Sequence, residues 1–291
     1  MATMLHPDIR NVLPPASLTR RELVVTALAT GFALAVRPVA AQTLIVTDSV
    51  GLDAGETKIP TADAQLPAYY AMPAAGRGHP LILVVQEIFG VHEHIKDLCR
   101  RCAKLGYVAI APELFARQGD VHGIADFKDI MPIVQKVPDA QVLADLDAAV
   151  AWAHATGKAD TRKLAITGFC WGGRIVWLYA AHNPRLGAGA AWYGRLTGDA
   201  TELQPRYPVD VAAQLKAPVL GLYGGKDRGI PPESIEAMRA ALQRARSASR
   251  IEVFADADHG FNADYRPSYN AAAATAAWAD MLAWFRKHGA A

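Results

Sequence analysis

The sequence predicts an α/β-hydrolase fold, a mainly parallel central sheet with helices on both faces, and three observations predict it. From Ala68 onward, apolar runs of strand length alternate with helical patterns. A glycine-rich turn with a nucleophilic side chain at its centre directly follows one of these runs. An aspartate and then a histidine stand at the ends of two later runs, giving the chain order nucleophile, acid, base.

Residues 42–67 read as leading strands and loops. Core strands are expected at Leu81–Gln86, Val108–Ala111, Leu164–Gly168, Gly187–Tyr193, Val219–Tyr223 and Ile251–Phe254. Each is a short continuous apolar run, the pattern of a strand covered on both faces. A helix is expected around Asp97–Leu105, and another over Ala140–His154, where Val142, Leu146, Ala149 and Ala153 recur at helical spacing. Further helices start at Trp171, near Pro232 and around Ser268, the last with Trp278, Leu282 and Phe285 on one face. Asp120–Pro138 is the least patterned connection and the candidate lid. No repeat, low-complexity linker or second-domain signal interrupts residues 42–291, which are expected to form one domain.

The candidate nucleophile is Cys170, in Gly168-Phe169-Cys170-Trp171-Gly172-Gly173 after Lys163–Thr167. The G-x-S-x-G elbow holds its central side chain up at a sheet edge, and here cysteine replaces serine. A thiolate is the stronger nucleophile at neutral pH once a base or positive field favours it. Asp227 ends the run Val219–Tyr223 through Gly224-Gly225-Lys226, and His259 follows Ile251–Phe254. Taken singly these residues have plainer roles: a buried thiol in a tight turn, a turn-forming or capping aspartate, a surface histidine. Glu87, after the buried-strand run Pro80–Val85, is either an exposed loop acid or a paired carboxylate close to Cys170.

With these motifs the sequence resembles the dienelactone hydrolase family, over about Ala68 to Phe285. The resemblance rests on Gln86-Glu87-Ile88-Phe89-Gly90, Ala111–Gly119, the Cys170 elbow, Gly224-Gly225-Lys226-Asp227 and His259-Gly260-Phe261. It implies Cys170 as nucleophile, His259 as base, Asp227 as orienting acid and Glu87 as a partner that holds the resting thiol and helps deprotonate it when substrate arrives. The backbone N–H groups of Ile88 and Trp171 would form the oxyanion hole. The implied substrate is a small ester or lactone, with no cofactor and no metal. In the best-known members two arginines hold the substrate carboxylate, one beyond the Ala-Arg-Gln motif and one a few residues after the catalytic histidine. This chain has no Arg between Gln118 and Ala151, and Arg266 lies farther past His259 than that pattern places it. Tyr193 and Arg195 either line the pocket instead or sit on a surface loop. Two other readings compete: a noncatalytic ligand-binding protein on the same scaffold, and a redox-reactive thiol assisted by Cys99 and Cys102.

The first 41 residues read as targeting. Thr19-Arg20-Arg21-Glu22-Leu23 is a twin-arginine signature, followed by an apolar stretch and by Val39-Ala40-Ala41 as a cleavage site. The stretch is short for a membrane span, and an uncleaved anchor is the alternative. The expected partner is the twin-arginine export machinery and the expected location the bacterial periplasm or beyond, with no stable membrane association after cleavage. That segment carries four Arg and two acids, leaving 26 basic and 26 acidic residues. No basic tail or stripe points to nucleic acid. Three cysteines make no disulfide scaffold, and Cys99 and Cys102 are expected as structural thiols on the inner face of their helix. His92 and His94 are expected as surface residues at a helix start.

Overall fold

The computed structural model describes residues 44–124 and 126–291, so the twin-arginine segment expected over residues 1–41 lies outside the described residues. Eight strands form one sheet: β1 (Leu52–Pro60), β2 (Gln65–Pro73), β3 (His79–Val85), β4 (Val108–Pro112), β5 (Ala159–Phe169), β6 (Ala188–Trp192), β7 (Val219–Gly224) and β8 (Arg250–Phe254). The helices are α1 (Glu93–Lys104), α2 (Phe127–Val134), α3 (Asp139–Ala155), α4 (Trp171–His182), α5 (Pro208–Val211), α6 (Pro232–Arg244) and α7 (Ala271–Lys287). The spatial order is β1-β2-β4-β3-β5-β6-β7-β8. β2 is antiparallel to β1 and to β4, and every pair from β4 to β8 is parallel. This is the α/β-hydrolase fold that the alternation predicted.

The two-residue period of a strand divides the core. In β3, Leu81, Leu83 and Val85 enter one apolar layer with Leu146 of α3, Ile175 of α4 and Ile235 of α6. Ile82 and Val84 enter the opposite layer with Ile95 and Leu98 of α1 and Met281 and Trp284 of α7. A strand covered on both faces has no polar side to show, which is why these runs are continuously apolar. Cys99 and Cys102 lie fully buried in the α1 layer, as expected of structural thiols. Burial pushes the Cys102 thiol up to about 12 and the Cys99 thiol well above its ordinary value, which disfavours the reactive thiolate in both.

Three expectations need adjusting. The strand ending at the elbow begins at Ala159, because its polar first half pairs with His79 and Pro80 before the register shifts ahead of Leu81. The final helix begins at Ala271, where the Asn270 side chain accepts from the Ala273 N–H at 3.1 Å. Within Asp120–Pro138, α2 is capped by Asp126 and buries Ile130 and Val134 against the core, so this connection contains a packed helix.

Candidate active site

Cys170 sits where β5 ends and α4 begins, with φ 55° and ψ −112°, a backbone conformation that a residue with a Cβ rarely adopts. Its N–H donates to the Trp192 carbonyl at 3.0 Å, tying the turn to β6. The flanking glycines are dictated by space. A Cβ on Gly168 would lie 2.4 Å from the Gly172 carbonyl oxygen, and one on Gly172 would lie 2.5 Å from the carbonyl oxygens of Val85 and Gln86. Those neighbours are backbone and cannot yield, so glycine lets the start of α4 press against the end of β3. That contact brings Gln86, Glu87 and Ile88 beside the elbow.

Two further turns converge there. The Gly225 N–H donates to Phe254 at 2.8 Å and the Lys226 N–H to Ala257 at 2.9 Å, lacing the turn after β7 to the turn after β8. Asp227 is thereby held with its carboxylate fully shielded from solvent, one oxygen accepting from the Gly229 N–H at 2.8 Å. The other oxygen lies 2.8 Å from His259 Nδ1, and His259 Nε2 lies 3.2 Å from Cys170 Sγ. A carboxylate can only accept, so His259 Nδ1 carries the proton and Nε2 faces the sulfur. Burial opposes a charge on His259, but Cys170 and Asp227 outweigh it and push the imidazole up to about 10. Tyr193, itself at φ 37°, sets its ring edge-on to His259 at 5.2 Å.

The backbone N–H groups of Ile88 and Trp171 engage no acceptor among the described residues, and Trp171 opens α4, where amides have no intrahelical partner. The loop carrying Ile88 is fastened by the Ala111–Gly119 motif. The Val91 N–H donates to Glu113 at 2.8 Å, and the Leu114 N–H donates to the Gln86 side chain at 3.1 Å.

Glu87 is fully buried and is not hydrogen-bonded to the thiol. Its Oε2 accepts a short hydrogen bond from the Tyr265 hydroxyl and lies 3.3 Å from His92 Nε2, while Oε1 has no hydrogen-bond partner. Burial opposes the charge, but the His92 hydrogen bond and the charges of His92 and Arg266 hold the carboxyl down to about 2. Burial also pushes His92 down to about 4 against the pull of Glu87. At neutral pH the pair is therefore a neutral imidazole donating to a carboxylate. The expectation of surface histidines at this helix start is corrected: His92 and His94 are both buried. They are drawn inward because each meets a buried acid, His92 at Glu87 and His94 at Asp264 (3.2 Å). Sequence reasoning missed Tyr265 and these histidines. The available signal was a pair of polar clusters, His92-Glu93-His94 and Asn262–Arg266, each immediately following a site motif.

Of the substrate-binding candidates, Tyr193 is buried with its hydroxyl unpartnered. Arg266 is half-buried over the Phe89 ring at 5.8 Å, and burial, which opposes its charge, is outweighed by Glu87, Tyr265 and Cys170. Arg195 is exposed. A separate cavity of about 620 Å³ opens between β1, β2, α1 and the loop after β4, lined by Tyr69, Lys96, Glu113 and His122 among others; it contains no triad residue.

Comparison with known proteins identifies the family and the fold. Residues 66–289 match the family described as "Dienelactone hydrolase family". A protein of Methylorubrum extorquens named "Putative carboxymethylenebutenolidase" is 61% identical over 290 residues, covering 99% of this chain and 100% of that protein. A Bradyrhizobium protein named "Probable 2-oxo-3-(5-oxofuran-2-ylidene)propanoate lactonase" is 31% identical, covering 76% of this chain and 89% of that protein. The crystal structure of a "Putative Dienelactone Hydrolase" from Klebsiella pneumoniae superposes with a TM-score of 0.79 at 55% identity, covering 81% of this chain and 99% of that one. The chain belongs to the dienelactone hydrolase family and is a hydrolase of the carboxylic-ester class.

Proposed function

We propose that this member of the dienelactone hydrolase family cleaves a small ester or lactone through a Cys170-His259-Asp227 triad and an acyl-cysteine intermediate. The observation that carries the reading is the unbroken line from Asp227 Oδ2 through His259 to Cys170 Sγ, at 2.8 and 3.2 Å. The Cys170 thiolate, paired with the His259 imidazolium, attacks the carbonyl carbon, and the carbonyl electron pair moves to oxygen. The Ile88 and Trp171 N–H groups receive that oxyanion. The tetrahedral adduct collapses, the C–O bond to the leaving group breaks, and the departing oxygen takes the proton from His259 Nε2. In a lactone the leaving oxygen stays tethered to the acyl group. A water molecule then gives its proton to His259 and attacks the thioester, releasing the acid and restoring the thiolate. Glu87 takes part in acylation as a carboxylate beside the elbow.

Arg266 is the proposed contact for an anionic substrate, since a half-buried guanidinium with no hydrogen bond to a described residue suits a carboxylate. The Bradyrhizobium relative's name, a propanoate lactone, supports that substrate class. Tyr193 would line the acyl pocket, and Arg195 would act at its rim. Twin-arginine export through Arg20 and Arg21 and a periplasmic location complete the proposal.

The test is hydrolysis of a chromogenic short-chain ester. Cys170→Ala is expected to abolish burst and turnover, while Cys99→Ala and Cys102→Ala retain most of both. Activity surviving loss of Cys170 would sink the mechanism.

A further inference from the structure

Ile88 lies in a tight turn that closes on itself, since Glu87 and Gly90 pair as an isolated antiparallel bridge. Both flanks of that turn are held from one place. Before it, the Gln86 side chain accepts from the Leu114 N–H at 3.1 Å; after it, the Val91 N–H donates to Glu113 Oε2 at 2.8 Å. Within it, Gly90 has φ 76°, and a Cβ there would lie 3.0 and 3.1 Å from the two Glu113 carboxylate oxygens and 3.1 Å from Val121. The carboxylate is therefore packed against the turn as well as bonded to it. On its other side the turn meets the elbow, because the α-carbon of Gly172 presses on the carbonyls of Val85 and Gln86.

Glu113 is itself fixed. Its N–H donates to the Pro67 carbonyl at 2.8 Å, and its own carbonyl accepts from the Ala116 N–H at 3.2 Å. Its side chain is only 13% exposed, yet among the described residues no Lys or Arg pairs with it; the exposed His122 stands 3.5 Å from Oε2. Burial pushes the Glu113 carboxyl up, which is the mark of that cost. An apolar side chain of the same size would fill this space without it. What a carboxylate adds is a charge-assisted hydrogen bond to the loop, shorter and stronger than a neutral one.

We propose that Glu113 is a positioning residue for ester or lactone cleavage: through Val91 it fixes the turn that aims the Ile88 N–H at the substrate's carbonyl oxygen. The proposal rests on Cys170 as nucleophile and on the Ile88–Trp171 oxyanion hole. An oxyanion donor acts once charge develops on that oxygen, so a loosened turn slows acylation and leaves substrate binding nearly as it was.

The test compares two reactions of one sulfur in the folded full chain. Acylation is read as the burst of p-nitrophenol from p-nitrophenyl butyrate, and alkylation as iodoacetamide labelling of Cys170 followed by peptide mass mapping. Alkylation also needs the thiolate, but it displaces iodide and builds no oxyanion. Glu113→Met fills the same space without an oxygen acceptor and is expected to slow the burst roughly a hundredfold, the order of effect of misplacing a catalytic group by about 1 Å. The ester concentration that half-saturates the burst and the alkylation rate should both stay within about twofold of wild type. Glu113→Gln keeps an oxygen for the Val91 N–H and is expected to retain most of the burst rate. Glu113→Ala, with the same expectation as Glu113→Met, serves if the latter does not fold. A wild-type burst in the folded variant, a parallel loss of alkylation, or a Glu113→Gln burst as slow as that of Glu113→Met overturns the proposal. The oxyanion hole itself is tested on wild-type protein with butanal, whose carbonyl carbon bonds to the sulfur while its electron pair moves to oxygen. Butanal should bind more tightly than butanol, and equal binding would refute the hole rather than the part given to Glu113.

Discussion

Acid should destabilise this protein through His92 as pH falls from 7 to 5. The folded chain holds His92 at about 4, against about 6.5 for a free imidazole, because burial opposes the charge more strongly than Glu87 favours it. Between those values the unfolded chain binds a proton that the folded chain refuses, so stability falls as pH falls. From pH 7 to pH 5 the linkage is worth roughly 1.5–2 kcal/mol. His259 acts with the opposite sign. Its folded value near 10 means that its stabilising contribution is fully present below about 6.5 and is lost as pH rises through 10. The quantity to read is therefore the difference between wild type and His92→Asn, which keeps an N–H donor for Glu87 and removes the titration. Urea unfolding at pH 7 and at pH 5 should show the wild type losing about 1.5–2 kcal/mol more than the variant. Equal losses in the two proteins would refute the reading of a buried neutral imidazole.

Asp227→Asn should lower turnover roughly a thousandfold or more with little change in urea stability, because it removes orientation and charge from His259 and leaves packing intact; near-normal kcat would remove Asp227 from the triad. Arg266→Gln should raise the KM for an anionic ester by the equivalent of about 1.5–3 kcal/mol and leave a neutral ester of similar size almost unaffected. Equal effects on the two esters would mean packing damage, and no effect would mean an uncharged substrate. Replacing Arg20 and Arg21 with Lys should retain the protein in the cytoplasm on cell fractionation, since a receptor reads the pair, and undiminished periplasmic yield would contradict twin-arginine routing.

The sheet was legible because its strands are covered on both faces. Ile82 and Val84 need one apolar layer and Leu81 and Leu83 the other, which leaves a continuous run that no surface strand would show. The elbow and the order of Asp227 and His259 were legible because backbone crowding at Gly168 and Gly172 admits no other residue and so fixes a local pattern. What the sequence concealed is the cluster around Glu87. Tyr265 and Glu87 are 178 positions apart, and His94 and Asp264 170 apart, so no periodicity links them. Two histidines at a helix start carry the composition of a surface, and only the meeting of α1 with the segment after β8 turns them inward. Arg195 and Arg266 were equally unresolved in the sequence, and they separate only by burial: Arg195 faces solvent while Arg266 packs over Phe89.

The most direct measurement of the covalent mechanism is the mass of the intact protein, rapidly quenched in acid during turnover of a slowly deacylating ester, followed by peptide mapping. The triad predicts one acyl group, bound as a thioester within the peptide that carries Cys170, accumulating further in His259→Ala if acylation still proceeds and absent from Cys170→Ala. Turnover with no adduct on Cys170 even when deacylation is slowed, or an equal adduct in Cys170→Ala, would contradict it.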